Sequence, residues 1–167
     1  MRKLLIIALS ILLFSCEKSG FDFSSPALFL EQRNSVERLS FRVSLDDEQS
    51  SYFATIASPD GLLRWQGNLE KGDDDTYSLT LEITPEASFI PGEYTFEIYS
   101  SGGVEKSGSV SFLREKFSVS LENGTLGGSM EGSGVIGERS VVIGSEASEG
   151  EILHYTDQYF NEYEVVL

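Results

Sequence analysis

The chain is poor in the residue types that many functional classes require. Its 167 residues include one cysteine, one histidine and four prolines, and 12 basic residues stand against 27 acidic ones. One His and one Cys cannot supply a zinc cluster, a disulfide framework or a Cys–His dyad. A formal net charge of −15 repels phosphate backbones. A zinc cluster, a disulfide framework and Cys–His catalysis are therefore excluded, and no nucleic-acid partner is expected.

The N-terminal segment has the charge and hydrophobicity pattern of an export signal. Arg2 and Lys3 form a cationic start, and residues 4–14 are apolar apart from Ser10. Such a short run cannot span a ~30 Å hydrocarbon core, which takes about 20 helical residues, but it fits the apolar region of a secretory signal. We therefore predict that residues 1–15 are a signal peptide.

The end of this segment, Leu13-Phe14-Ser15-Cys16, resembles the lipobox of bacterial lipoproteins. In that family the cysteine receives diacylglycerol on its sulfur, and the signal peptidase then cleaves just before it. Leu13 and Cys16 match the usual pattern, Ser15 is a tolerated small residue, and Phe14 departs from it. The resemblance implies that Cys16 is lipidated and that residues 16–26 form a lipidated polar tether.

A membrane anchor in the cell envelope follows from this resemblance. The alternative is an ordinary secretory signal with an incidental cysteine at its end, but the chain's single cysteine stands where lipidation requires it. The expected partners are the membrane, through the lipid, and another envelope or surface protein. The sequence is compatible with either membrane and either leaflet.

Alternation of apolar and polar residues dominates the rest of the chain, and it indicates strands with one buried face. Turn-forming Gly, Pro, Asp and Ser residues separate the strands. No apolar stripe of helical period follows the signal, so we predict an all-β chain. The clearest strands are 39–45, 77–83 and 94–98, and weaker ones lie at 27–31, 52–57, 62–69 and 105–112.

Seven strands in about 85 residues are typical of an immunoglobulin-like or fibronectin type III-like antiparallel sandwich. Residues 89–98, FIPGEYTFEI, resemble the entry to strand F of fibronectin type III domains, and residues 56–65 resemble bacterial Ig-like modules. The resemblance implies that residues 27–112 form the sandwich. It also implies that the Tyr94 hydroxyl bonds to upstream backbone and that Trp65 is a core or sheet-face aromatic.

Residues 113–167 form a glycine-rich, acidic extension. We predict additional strands there, at 117–121, 140–143, 152–156 and 162–167. The apolar residues are too few for an independent core, so these strands are expected to join the sandwich. The glycine-rich stretch 124–137 is expected to be an extended, poorly packed connection.

No motif in the chain predicts catalysis, so we expect a protein that is not an enzyme. Residues 132–137 match G-x-G-x-x-G, but the short β-branched run that follows is not the helix that a dinucleotide fingerprint needs. His154, the only histidine, falls in a predicted strand. No serine has the G-x-S-x-G context of a nucleophile elbow.

Acidic turns supply the candidate metal ligands. If the strands alternate up and down, the turns that carry Asp46, Asp47, Asp73 and Asp75 share one end of the sandwich with the turn at 100–104. Oxygen-rich loops of this kind bind Ca²⁺, although no EF-hand pattern is present. A solvated acidic tip is the simpler interpretation, and no other cofactor is expected.

These observations favour a membrane-anchored lipoprotein whose sandwich is a non-catalytic binding or structural module. The alternative is a lipoprotein that binds a small molecule or glycan, through an aromatic sheet face or a Ca²⁺-dependent loop end. The aromatic candidates for that face are Tyr155, Tyr159, Phe160 and Tyr163.

Overall fold

The computed structural model describes residues 23–45, 51–72 and 75–167. The predicted signal, Cys16 and most of the tether lie outside the described residues, as do Asp46, Asp47 and Asp73. The described part consists of strands and turns, which confirms the prediction of an all-β chain. No helix in it is long and apolar enough to cross a membrane.

The described residues form fourteen strands. The first eight are β1 (Phe23–Arg33), β2 (Val36–Leu45), β3 (Phe53–Ala57), β4 (Arg64–Asn68), β5 (Glu70–Lys71), β6 (Thr76–Glu82), β7 (Gly92–Ser100) and β8 (Gly103–Phe112). The remaining six are β9 (Ser118–Glu122), β10 (Thr125–Ser129), β11 (Ser133–Ile136), β12 (Arg139–Val141), β13 (Ile152–Thr156) and β14 (Glu162–Val166).

These strands form two large sheets and a hairpin. The eight-stranded sheet has the order β12-β11-β13-β14-β1-β2-β6-β5, the four-stranded sheet has the order β4-β3-β7-β8, and β9 pairs with β10. Every described strand pair is antiparallel except β1 with β14, which run parallel. The C-terminal strands β11 to β14 therefore extend the sheet that contains β1, β2 and β6.

The alternating sequence pattern explains the main core. In β2, Leu39, Phe41 and Val43 are buried, while Arg38 and Arg42 between and beside them are exposed. Residues of the same kind on β7 face β2 from the four-stranded sheet, and the rings of Phe41 and Phe96 lie 5.4 Å apart. The two sheets thus pack face to face around side chains that alternate with polar ones, as a strand period of two requires.

The glycine-rich stretch is better packed than the sequence predicts. The expectation of a poorly packed connection at 124–137 is wrong, because this stretch carries β10 and β11, and Leu126 and Ile136 are buried. Its glycines permit close approach: a Cβ on Gly128, at φ +105°, would lie 2.3 Å from the Ser118 carbonyl oxygen. Glycine here reflects tight backbone packing rather than looseness.

The C-terminal extension also contains a small apolar cluster of its own. The sequence predicts too few apolar residues here for an independent core, and the cluster is small. Phe117 and Met130 contact both this cluster and the main core, so the two are continuous. The buried members of the small cluster are Leu126, Ile136, Val141, Ala147 and Leu153.

Candidate functional site

The predicted tyrosine surface is largely core. Tyr155 and Tyr163 are each 2% exposed, so the structure corrects their assignment as binding residues. Their rings pack against Phe117, at centroid distances of 4.5 and 4.8 Å. The reason is that successive side chains of a strand point to opposite faces of the sheet. Strands β13 and β14 lie in the large sheet, and both tyrosines fall on its inner face. Tyr159 is 38% exposed, at the turn between these strands.

Burial raises the pKa of the Tyr155 phenol to about 12, and a hydrogen bond to the Glu115 carboxylate acts in the same direction. Burial likewise raises the pKa of Tyr163, and the negative charge of Asp157 adds to the shift. Both phenols therefore stay protonated and act as hydrogen-bond donors at neutral pH.

Asp157 is the centre of a buried polar network in the β13–β14 turn. It is 4% exposed. Its Oδ1 accepts hydrogen bonds from the backbone N–H groups of Tyr159 and Asn161, both at 2.9 Å. Its Oδ2 accepts from the Asn161 side-chain amide at 2.7 Å, and from the Tyr163 hydroxyl and the Glu115 backbone N–H at 3.3 Å. Both carboxylate oxygens of Asp157 thus have their hydrogen-bond donors within the protein.

Asn161 connects this turn to the rest of the molecule. It is completely buried. Its Oδ1 accepts a hydrogen bond from the Leu30 backbone N–H, and its Nδ2 donates to the Leu113 carbonyl, both at 2.9 Å. The turn is therefore fastened to β1 and to the segment that leaves β8.

The β13–β14 turn contains Phe160, which has an unusual backbone conformation for a bulky residue. Phe160 has a φ of 65°, and the residue is 70% exposed. Left-handed backbone is unfavourable for a bulky residue, and exposure gives no packing energy in return. The sequence pattern singled out Phe160 as aromatic, but nothing in it reveals the strained backbone.

Phe160 forms one wall of an apolar groove at the junction between β1–β2 and the C-terminal strands. The groove has a volume of about 380 Å³. Phe29 also lines this groove, and the Arg42 guanidinium carbon lies 5.1 Å from the centroid of its ring. We call it the junction groove and define it by its lining residues Phe29, Leu30, Glu31, Arg42, Phe160 and Glu162.

A second aromatic surface lies on the outer face of the four-stranded sheet. Phe53 is 38% exposed, and its ring lies 6.3 Å from that of Tyr99, its partner in register on β7. The Tyr99 hydroxyl donates a 2.6 Å hydrogen bond to Glu97, which raises the pKa of Tyr99. Beside Glu97, a shallow depression is lined by residues such as Thr55 and Arg64.

The predicted acidic loop end is described only in part. The Leu45 backbone N–H donates to the Asp75 carbonyl at 3.2 Å, so the end of β2 meets the start of β6 there. The Asp75 carboxylate lies 3.2 Å from the Lys71 ammonium and raises the pKa of Lys71. Within the described ranges, no three His, Asp or Glu side chains are grouped to hold a metal ion. Calcium binding at Asp46, Asp47, Asp73 and Asp75 stays a prediction.

The structure confirms the hydrogen bond predicted for Tyr94. The residue is fully buried, and its hydroxyl donates to the Ile90 carbonyl at 3.0 Å. Burial raises the pKa of Tyr94 to about 12. Trp65 is partly buried and packs against the core, with its ring 6.3 Å from that of Tyr94 and 5.7 Å from that of Phe89, which agrees with the prediction of a core or sheet-face aromatic.

The remaining sequence motifs form ordinary strand structure. His154 is exposed on β13, with its Nδ1 3.9 Å from the Glu164 carboxylate. Residues 133–136 of the G-x-G-x-x-G match are strand β11, and the chain continues through a turn into β12. The match therefore lacks the helix N-terminus that would hold a pyrophosphate.

No family model, curated protein or solved structure matches the chain.

Proposed function

We propose that the chain is a membrane-anchored bacterial lipoprotein whose β-sandwich is a non-catalytic binding or structural module of the cell envelope. The observation that carries the proposal is Cys16, the single cysteine, at the end of the apolar N-terminal run. Its partner is proposed to be another envelope or surface protein.

The strand order supports a fibronectin type III-like assignment of the sandwich. Strands β1, β2 and β6 are neighbours in one sheet and face β4, β3, β7 and β8 in the other. A three-stranded set against a four-stranded set is the arrangement of that domain class. The Tyr94–Ile90 hydrogen bond supports the same assignment. Such domains serve many unrelated functions, so the fold supports a binding module without identifying its partner.

The register of β1 predicts which end of the anchored domain lies nearer to the membrane. Phe23 pairs with Leu45 at one end of the sandwich, whereas β14 pairs with Glu31 to Arg33 at the other end. Residues 16–22 reach at most ~25 Å when fully extended. A lipid on Cys16 would therefore hold the Phe23 end close to the bilayer, and the C-terminal strands would face away from it.

Lipidation is tested by metabolic labelling with palmitate. We expect wild-type chain to incorporate the label and to fractionate with membranes, and Cys16→Ser to lose both properties, because the thioether needs the sulfur. Ser15→Ala is the matched control: alanine fits the lipobox, so labelling should persist. Label that remains in Cys16→Ser would contradict the proposal.

A second candidate function is glycan or small-molecule binding on the outer face of the four-stranded sheet. It is favoured by the Phe53–Tyr99 pair, because exposed aromatic rings next to polar groups suit sugar stacking and hydrogen bonding. On a glycan array, we expect any glycan retained by the wild type to be lost by Phe53→Ala and kept by Leu62→Ala, since Leu62 is exposed elsewhere. An array without hits would remove this candidate.

A further inference from the structure

We propose that the junction groove binds an arginine or lysine side chain of a basic polypeptide segment from a partner protein. The inference deepens the proposed role as a binding module and rests on it, but it does not require lipidation. It assigns the partner's contact to one surface and gives that contact a chemistry.

The first argument is the strained backbone at Phe160. A bulky residue at φ 65° is costly, and glycine or asparagine would fit this turn better. The strain is held in place by the buried Asp157–Asn161 network. Strain held in this way is characteristic of binding sites. At Phe160 it yields an exposed ring and no core packing, which is the expected signature of a residue kept for contact with a partner.

The second argument is the chemistry of the groove walls. Arg42 is an example of a cation held by an aromatic ring and a carboxylate. Its guanidinium lies over the Phe29 ring, and its Nη2 lies 3.9 Å from the Glu31 carboxylate. The lining of the groove contains the same two kinds of group a second time, since the Phe160 ring is followed two residues later in the chain by the Glu162 carboxylate. No described basic side chain forms an ion pair with Glu162. The Phe160 ring and the Glu162 carboxylate, which has no ion pair among the described residues, are the groups that a second guanidinium or ammonium would contact.

The third argument is charge complementarity. The chain carries 27 acidic and 12 basic residues, so its field attracts a basic partner and repels a second copy of itself. The groove is mainly apolar between its charged rims and can therefore take the methylene stem of a Lys or Arg side chain while the charged head meets Glu162.

The groove also exists only in the assembled fold. Phe29, Glu31 and Arg42 come from β1 and β2, whereas Phe160 and Glu162 come from the β13–β14 turn and β14. The parallel pairing of Glu31 with Glu162 brings these elements together. Sites at the junction of two structural units are common positions for ligand recognition.

The test is a heteronuclear NMR titration of the full chain in non-ionic detergent. The probe is a blocked Gly-Arg-Gly-Arg-Gly peptide, and its counterpart with citrulline in place of arginine keeps the shape without the charge. We expect the arginine peptide to shift the amide signals of Phe29, Glu31 and Glu162, and the citrulline peptide to bind at least about tenfold more weakly, because one charged contact is worth roughly 1.4 kcal/mol.

Two variants separate binding from folding. Phe160→Asn is expected to weaken peptide binding by about tenfold while the melting temperature stays the same or rises by ~2 °C, because asparagine tolerates the left-handed backbone. Glu162→Gln is expected to weaken binding similarly. The matched controls are Leu62→Asn, at an exposed residue with ordinary backbone, and Glu86→Gln, which changes the net charge equally; both should bind like the wild type.

The contrary results are equally specific. A clear fall in the melting temperature of Phe160→Asn would make Phe160 a structural residue and overturn the inference. Equal binding of the citrulline peptide, or equal weakening by Glu86→Gln, would overturn the recognition of a cation at this groove. Self-association of the wild type that Phe160→Asn abolishes would identify a second copy as the occupant instead. None of these results affects palmitate labelling at Cys16.

Discussion

Replacing Asp157 with alanine is expected to lower the free energy of unfolding by about 3–5 kcal/mol, because several buried donors each lose their acceptor, with a fall in melting temperature of about 10 °C. Asp157 is 4% exposed, and its carboxylate accepts five hydrogen bonds, three of them from backbone N–H groups. Alanine would leave these donors buried and unpaired, which costs more than the bonds themselves contribute. Thermal and urea unfolding followed by circular dichroism measure the effect.

The matched control for this substitution is Asp60→Ala. Asp60 is also a turn aspartate, and its Oδ1 accepts hydrogen bonds from the Ser58 hydroxyl and the Leu62 backbone N–H. It is exposed, so water can replace the carboxylate as a partner, and we expect a clearly smaller loss of stability. Equal losses for the two variants would show that the Asp157 network is not a special source of stability.

The sequence predicts those parts of the fold that depend on local alternation. Leu39, Phe41 and Val43 alternate with polar residues and are buried as predicted. Tyr94 donates to backbone upstream because a short motif places it at the entry to β7. In both cases the information is contained within about ten residues: the side-chain period of a strand predicts the buried face of β2, and the motif predicts the Tyr94 hydrogen bond.

The C-terminal half depends on contacts that the sequence pattern does not contain. The parallel pairing of β1 with β14 joins Glu31 to Glu162, and periodicity carries no information about such distant partners. Asp157 and Asn161 look like turn residues in the sequence, yet both are buried. One signal was available: Asp157 and Asn161 frame a turn between two alternating strands, and buried side chains there can fasten a turn to its neighbours.

The candidate sites, like the fold, can be predicted from the sequence only where they depend on local alternation. The sequence predicts an aromatic binding face within residues 155–163, but strand alternation places Tyr155 and Tyr163 in the core and the turn leaves Phe160 exposed. The positive φ of Phe160 is a property of the turn, in which the Asp157 carbonyl accepts from the Phe160 backbone N–H and the Asp157 Oδ1 accepts from the Asn161 backbone N–H. Neither propensity nor composition predicts that a phenylalanine adopts this conformation.

Replacing Arg114 with alanine is expected to cost about 3–5 kcal/mol, because it leaves the Glu37 carboxylate uncompensated. The Glu37 side chain is 2% exposed, and both of its carboxylate oxygens accept from Arg114 Nη1, at 2.8 and 2.9 Å. In the described structure its other partner is the Phe89 backbone N–H at 2.9 Å. The pair ties the segment after β8 to β2, so its loss should also loosen the attachment of the C-terminal strands.

The exposed pair Arg38–Glu82 is the control, at 3.4 Å with both side chains more than 60% exposed. Arg38→Ala should change stability by less than about 1 kcal/mol, since water replaces the lost partner.

The variant Glu37→Gln shows whether the charge of Arg114 or the packing of its side chain is responsible for the loss of stability. Glu37→Gln should destabilise the wild type, because a charge-assisted hydrogen bond to Arg114 is weakened, but should stabilise Arg114→Ala, because it removes a buried charge without a partner. That reversal of sign, measured by urea unfolding, is the signature of an uncompensated carboxylate. If Glu37→Gln instead destabilises both backgrounds, Arg114 acts through the packing of its methylene chain and not through its charge.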